Sequence, residues 1–260
     1  MRILVTNDDG ILAPGLKVLE AIARDLSDDV WIVAPETDQS GVSHSLSLND
    51  PLRLRKVGDQ HFAVKGTPAD CVIMGVRHLI KEAPPDLVLS GINRGQNLAE
   101  DVTYSGTIAG AIEGSILGVR SIALSQCFRY PDPIDWKASE AFGADTVRKL
   151  LAAGIDSSIV LNVNFPACAP EDVAGIKVTI QGKRDQALLK VDDRIDGRGN
   201  RYYWLGFERR KFTMHEGTDL WAVAENAISV TPLSLNLTDM DAHVRLMNTL
   251  VTDTVNGENA

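Results

Sequence analysis

Ile3-Leu4-Val5-Thr6 runs without a break into Asn7-Asp8-Asp9-Gly10. The first four residues read as a short, apolar strand, buried on both sides. The next four are acidic and turn-forming, so the chain leaves its first strand through paired carboxylates. Adjacent carboxylates repel each other and lose hydration as they approach the edge of a core. A hard divalent cation offsets that cost most directly, because such ions take oxygen ligands. The opening residues therefore predict a metal site at the carboxyl end of a buried strand.

The rhythm set by this strand repeats. Pro14 suits the first turn of a helix, and Leu16, Leu19, Ile22, Ala23 and Leu26 then share one helical face. Val30-Trp31-Ile32-Val33-Ala34 is a second strand, ending at Pro35. Residues 62–64 predict a short strand and 71–80 a helix, with Gly66-Thr67-Pro68 between them. Asp86-Leu87-Val88-Leu89-Ser90 and Ser121-Ile122-Ala123-Leu124-Ser125 are further strands. Between them, Ile108 to Leu117 is rich in Ala and Ile and predicts a tightly packed helix. Alternation of this kind predicts an α/β fold with a parallel sheet covered on both faces.

The second half reads differently. Residues 138–152 predict a helix, Ile159 to Val163 a strand, and Gly175 to Ile180 an edge or hairpin strand. Residues 183–201 are charged and glycine-bearing, and Tyr202-Tyr203-Trp204-Leu205 follows. An aromatic cluster after a polar stretch predicts a protruding hairpin. Ile228-Ser229-Val230-Thr231-Pro232 returns to strand character, and residues 239–252 predict a closing helix.

Composition narrows the class. The chain has 260 residues, 44% hydrophobic and 23% charged, which are globular values. Its net charge of −9 argues against a nucleic-acid polymer as partner, since phosphate contacts need clustered Lys and Arg. A small phosphorylated substrate is not excluded. Cys71, Cys127 and Cys168 are odd in number and widely spaced, so neither a zinc knuckle nor a disulfide framework is expected. No basic region leads into an apolar run at the N-terminus, and no stretch is long enough to span a bilayer. A cytoplasmic location with no membrane partner is the expectation.

In open parallel sheets, ligands bind beyond the carboxyl ends of the strands. The first strand supplies Asp8 and Asp9 there. The second supplies Glu36, Asp38, Gln39, Ser40 and Gly41, and the third Ser90-Gly91-Ile92-Asn93-Arg94-Gly95-Gln96-Asn97. These are carboxylate, hydroxyl and amide oxygens. Only His44 brings an imidazole nearby, so the set suits magnesium, manganese or calcium better than zinc. Downstream, Tyr104-Ser105-Gly106-Thr107 precedes the Ala/Ile-rich helix. Its free backbone N–H groups and the positive end of the helix dipole form an anion seat. A hard cation beside an anion seat is what phosphate-ester hydrolysis requires. Taken singly, Asp8-Asp9-Gly10 reads as a turn, Asn93 as a capping residue and Ser105 as an ordinary N-cap; the functional reading rests on their convergence. His44 reads as exposed, with phosphate binding and proton shuttling as alternatives. His61, His78, His215 and His243 read as structural or solvated.

These motifs, taken in order, resemble the SurE (survival protein E) nucleotidase family. The likeness is carried by Met1 to Gly10, by Ala34-Pro35 with Gln39-Ser40-Gly41, and by Gly66-Thr67-Pro68-Ala69-Asp70-Cys71-Val72. It continues through Ser90 to Asn97, Tyr104 to Thr107, Tyr202-Tyr203-Trp204, Gly217-Thr218-Asp219 and Ser229-Val230-Thr231-Pro232-Leu233. The resemblance implies a metal-dependent phosphatase of nucleoside 5′- and 3′-monophosphates, with some action on short polyphosphate. It implies one divalent ion, Mg2+ or Mn2+ with Ca2+ as a crystallographic substitute, held by Asp8, Asp9, Ser40 and Asn93. Asn97, Ser105, Gly106 and Thr107 would line the phosphate site. Asp8 and Asp9 are the expected catalytic residues, one of them, Asp9 by preference, orienting or deprotonating the attacking water. The implied fold is a Rossmann-like, doubly wound, mostly parallel sheet over residues 1–182. A smaller part over 183–260, with a protruding hairpin and a terminal helix, would build a homodimer or homotetramer. The chain departs from the family pattern at Gly197, where proline is expected, and at His44.

Two competing readings have tests of their own. An aspartyl-phosphate phosphatase with Asp8 as nucleophile would carry Asp-x-Asp, whereas these aspartates are adjacent. A non-catalytic, metal-dependent nucleotide sensor would bind AMP and release no phosphate.

Overall fold

Nearly every stretch with strand character forms a strand in the computed structural model, which describes residues 1–184, 189–207 and 213–251. β1 (Arg2–Thr6) leads through α1 (Pro14–Leu26) to β2 (Asp29–Pro35). β3 (Arg53–Gly58) and β4 (His61–Lys65) form a hairpin, followed by α2 (Pro68–Met74) and a π-helical turn over Gly75–Leu79. β5 (Leu87–Arg94), α3 (Asp101–Tyr104), α4 (Gly106–Ile116), β6 (Arg120–Gln126), α5 (Lys137–Ala152) and β7 (Ile159–Phe165) come next. The remainder holds β8 (Ile176–Val178), β9 (Leu189–Ile195), β10 (Arg201–Phe207), α6 (Asp219–Ala224), β11 (Ile228–Ser234) and α7 (Met240–Leu250).

The main sheet runs β3-β4-β2-β1-β5-β6-β7-β11-β8. β1 lies parallel to both β2 and β5, and β5, β6 and β7 continue parallel. Only β3 and β11 pair antiparallel within it, with β4 and β7 respectively. The predicted doubly wound, mostly parallel α/β sheet is therefore the one observed. The chain winds outward from β1 to one side and then from β5 to the other. Loops leaving β1 and β5 diverge, which opens a crevice at their carboxyl ends.

The two-residue period of β1 decides what each face buries. Ile3 and Val5 join Leu16, Leu19 and Ile22 of α1 and Ala138 and Val147 of α5 on one side. Leu4 joins Cys71 and Val72 of α2 on the other. Further along that second face, Ile108 and Ala111 of α4 meet Ala123 and Val160. α1 keeps its predicted start, with Pro14 in the first turn. α2 opens with a full capping box: Thr67 accepts from the Asp70 N–H while the Asp70 carboxylate accepts from the Thr67 N–H.

Three elements lie outside the sequence reading. β3 carries Arg53, Arg55 and Lys56 on an exposed edge, so it has no apolar run to mark it. α3 and α6 span only four and six residues. β9 and β10 pair antiparallel in a separate two-stranded sheet, the predicted hairpin. Its turn closes without proline, because the Asp196 carboxylate accepts the N–H groups of Arg198 and Asn200 at 2.8 and 2.9 Å. Residues 185–188 and 208–210 of the predicted arm, and 252 of the predicted closing helix, lie outside the described residues. α7 buries none of its residues, and Val244, Met247 and Leu250 are all exposed. Among the described residues, no helix is long and apolar enough to cross a membrane.

Candidate active site

Asp8 lies two residues beyond the end of β1 and is 3% exposed. Two elements close over it, and a third holds its neighbour Asp9. The Gln39 N–H donates to the Asp8 carbonyl at 2.7 Å, which ties the loop after β2 to the end of β1. The Thr107 hydroxyl donates to Asp8 Oδ1 at 2.5 Å from the first turn of α4. Gly106 sits so close that a Cβ there would lie 2.7 Å from the Asp8 Cβ. A side chain at 106 would displace Asp8, so glycine is what lets the helix terminus approach the carboxylate. Asp9 Oδ2 accepts the Arg94 N–H at 2.9 Å, linking the same turn to the end of β5.

These contacts bring most of the sequence-predicted residues together. Asp8, Ser40, Asn93, Asn97 and Ser105 line one cavity of about 750 Å3. Gly106 and Thr107 touch Asp8 through the contacts just given, and Asp9 contacts Arg94, which also lines the cavity. Ser40 is fixed by an Asx turn, its N–H donating to Asp38 Oδ1 at 2.8 Å. Asn93 Nδ2 donates to the Gly95 carbonyl at 3.0 Å, which leaves the amide oxygen as its remaining acceptor. Ser105 is the N-cap of α4, its Oγ accepting from the Ile108 N–H at 3.1 Å. The Gly106 and Thr107 N–H groups are among those an α-helix leaves without internal partners. The Thr107 hydroxyl is taken up by Asp8, so only its backbone is left to meet an anion.

The charges are poorly compensated. Burial pushes the Asp8 carboxyl up to about 7, against a lowering by Thr107, and the nearby Asp9 and Asp38 charges raise it further. Burial also raises Asp9, with the Arg94 N–H opposing and Asp38 adding to the rise. A divalent cation among these oxygens would reverse both shifts, because an opposite charge favours the ionised form. Among the described residues no group of three or more His, Cys, Asp or Glu is placed to hold a metal. The donors that converge are two carboxylates, a hydroxyl and an amide. That is a hard, all-oxygen set, and it fits magnesium, manganese or calcium.

The family model described as "Survival protein SurE" matches residues 3–187. The chain belongs to the SurE family. It is similar to a protein of Methylobacterium sp. (strain 4-46) called 5'-nucleotidase SurE, 66% identical over 252 residues, covering 96% of this chain and 100% of that one. A protein of the same name from Methylobacterium nodulans is 68% identical over 241 residues, covering 92% and 95%. Among solved structures, the SurE protein from Aquifex aeolicus superposes with a TM-score of 0.82 at 43% identity, covering 95% of this chain and 99% of that one. The similarity to SurE proteins therefore extends beyond the segment matched by the family model.

Several residues of this SurE cavity were not singled out from the sequence. Phe128, Leu220 and Val223 add apolar wall. Arg184 also lines it, donating to both Asp101 oxygens at 2.8 Å and to the Leu98 carbonyl at 3.1 Å. These come from loops and from the short α6, where periodicity carries no signal. His44 is exposed, as read from the sequence, and its Nε2 also lies 2.9 Å from the Glu113 carboxylate, which is 6% exposed on α4. That contact gives a buried carboxylate a polar partner. His61 is half-buried, and burial lowers its pKa.

Proposed function

We propose that this chain is a phosphomonoester hydrolase that releases phosphate from nucleoside 5′-monophosphates and depends on one divalent cation. The observation that carries the reading is the mixed wall of one cavity. Asp8, Ser40 and Asn93 share it with Phe128, Leu220 and Val223, so ionic and apolar groups meet at a scale suited to a mononucleotide. Membership of a family whose relatives are named 5'-nucleotidase supports the same activity.

Asp8, Asp9, Ser40 and Asn93 would hold the ion, Mg2+ or Mn2+. When bound, it supplies positive charge to the phosphate oxygens and lowers the pKa of a nearby water. The Gly106 and Thr107 N–H groups, the Ser105 hydroxyl and the Asn97 amide bind the remaining phosphate oxygens. A hydroxyl that accepts one hydrogen bond still has a proton to donate, so capping α4 does not disqualify Ser105. Asp9 orients the water. The water oxygen bonds to phosphorus as the phosphorus–oxygen ester bond breaks; the water gives up a proton and the departing ester oxygen takes one up, so the nucleoside leaves as an alcohol. The same geometry accommodates 3′-monophosphates and short polyphosphate, because its polar contacts are to the phosphoryl group.

The exposed apolar face of α7 and the free-standing β9–β10 hairpin support assembly into a homodimer or homotetramer, since a lone hairpin is marginal in water. Unpaired Cys71, Cys127 and Cys168 support a cytoplasmic setting. The test is phosphate release from a panel of nucleotides and other phosphomonoesters, with and without chelator. Release from AMP that chelator abolishes and manganese restores is the expected result. Binding of AMP without release would overturn the reading in favour of a sensor.

A further inference from the structure

β7 is buried along most of its length, yet it carries Asn162 and Asn164, both with no exposed surface. Residues two apart on a strand share a face. The intervening Leu161, Val163 and Phe165 enter the apolar core on the other side. Two buried amides are expensive unless their hydrogen bonds are made, and theirs converge on one residue. Asn162 Nδ2 donates to the Asn97 carbonyl at 2.8 Å and Asn164 Nδ2 to the same oxygen at 3.2 Å. Asn164 Oδ1 accepts the Asn97 N–H at 2.8 Å. Asn164 Nδ2 also lies 3.2 Å from Asn162 Oδ1, which locks the pair together. On β6, next to Asn164 in the sheet, Ser125 Oγ accepts from Asn97 Nδ2 at 2.9 Å.

The N–H, the carbonyl and the side-chain amide of Asn97 are thus all gripped by side chains projecting from two central strands. Loops are ordinarily the looser part of a site. This one is fastened to the sheet through a fully buried polar network. We infer that Asn162, Asn164 and Ser125 are positioning residues, which aim the Asn97 amide at the phosphoryl oxygens. The inference rests on the reading of Asn97 as a phosphate contact. Ser125 and Asn164 act at different points: Ser125 orients the amide, and Asn164 holds the backbone that carries it.

The test uses the manganese-loaded enzyme with Asn97→Ala, Ser125→Ala and Asn164→Ala, and the double variant Asn97→Ala/Ser125→Ala. Each is measured for kcat and KM with AMP and for competitive inhibition by inorganic phosphate. Asn97→Ala is expected to weaken phosphate inhibition and turnover. Ser125→Ala and Asn164→Ala should each lower kcat/KM by about 10- to 100-fold, in step with weaker phosphate inhibition. In the Asn97→Ala background, Ser125→Ala should cost less than about 2-fold, because nothing remains for it to aim. A merely structural serine would cost as much in either background. Normal phosphate inhibition in Ser125→Ala, or additive losses in the double variant, would overturn the inference even where Asn97→Ala is impaired. A normal Asn97→Ala enzyme would instead overturn the phosphate reading of Asn97 on which the inference stands. Should Asn164→Ala fail to fold, the Ser125 cycle decides alone.

Discussion

Asp8→Asn separates the burial cost of the site from its chemistry. The Asp8 carboxyl, near 3.8 in an unfolded chain, stands at about 7 in the folded protein without cation. Between those values the folded state keeps a proton that the unfolded chain has released. Stability drawn from that proton is complete below about 3.8, declines as pH rises, and is gone above about 7. Each pKa unit corresponds to about 1.4 kcal/mol, so the whole window is worth about 4 kcal/mol. Asparagine does not ionise and keeps an oxygen that the Thr107 hydroxyl can reach. Chelator-treated Asp8→Asn should therefore gain about 4 kcal/mol over chelator-treated wild type on going from about pH 4 to about pH 8. Asp9, also raised by burial, is present in both proteins and contributes to both curves. Urea unfolding across that range, at one fixed protein concentration, measures the difference. Manganese added at the alkaline end should stabilise wild type and leave the variant nearly unmoved. A stability difference that stays flat with pH would refute the claim that Asp8 is strained by its own charge.

Asp8→Asn and Asp9→Asn should each abolish phosphate release from AMP while circular dichroism stays native; near-normal turnover in either would remove that residue from the scheme. Gly106→Ala should raise the intrinsic helix propensity by up to about 1 kcal/mol. Its new methyl would nonetheless press on the Asp8 Cβ at 2.7 Å, so kcat/KM should fall about 100-fold and the melting temperature should fall with it; unchanged kcat/KM would count against the close approach. Replacing residues 189–207 by a short Gly-Ser link should lower the mass measured by light scattering; an undiminished mass would exclude the hairpin from assembly.

What the sequence disclosed follows from which forces have a period. Ile3, Leu4 and Val5 alternate between two apolar faces, and Leu16, Leu19 and Ile22 recur along one helical side, so strands and long helices were legible. β3 was not, because its exposed charges answer to solvent rather than to a core. α6 was not, because six residues capped by Thr218 are too few to show a repeat. Asp8 and Asp9 stood out as charges next to a buried strand. Asn162 carries the same kind of signal, a polar group inside an apolar run, but the sequence marks it only as part of the strand Ile159 to Val163, and Asn164 lies just beyond that stretch. Their partner, Asn97, is over 60 residues away, at separations of 65 and 67. A pairing over that distance is set by how the loop after β5 lies against β6 and β7, which no local pattern encodes.

The opening of α4 beside Asp8 also fixes how two ligands must depend on each other. The helix terminus offers N–H groups to an anion, yet a few ångströms away lies a carboxylate that Thr107 already contacts at 2.5 Å. Without a cation, an arriving phosphate meets the Asp8, Asp9 and Asp38 charges at short range, and the repulsion opposes what the helix dipole gains. With a cation, the sign of that neighbourhood reverses. Phosphate and cation should therefore raise each other's affinity, and by the same factor, since coupling free energy is reciprocal. Titration calorimetry of manganese, with and without inorganic phosphate, measures one half of the cycle; phosphate titrated with and without manganese measures the other. A coupling of about 1–3 kcal/mol is the expected scale. Independent binding of the two would mean that the buried aspartates and the helix terminus do not face one shared space.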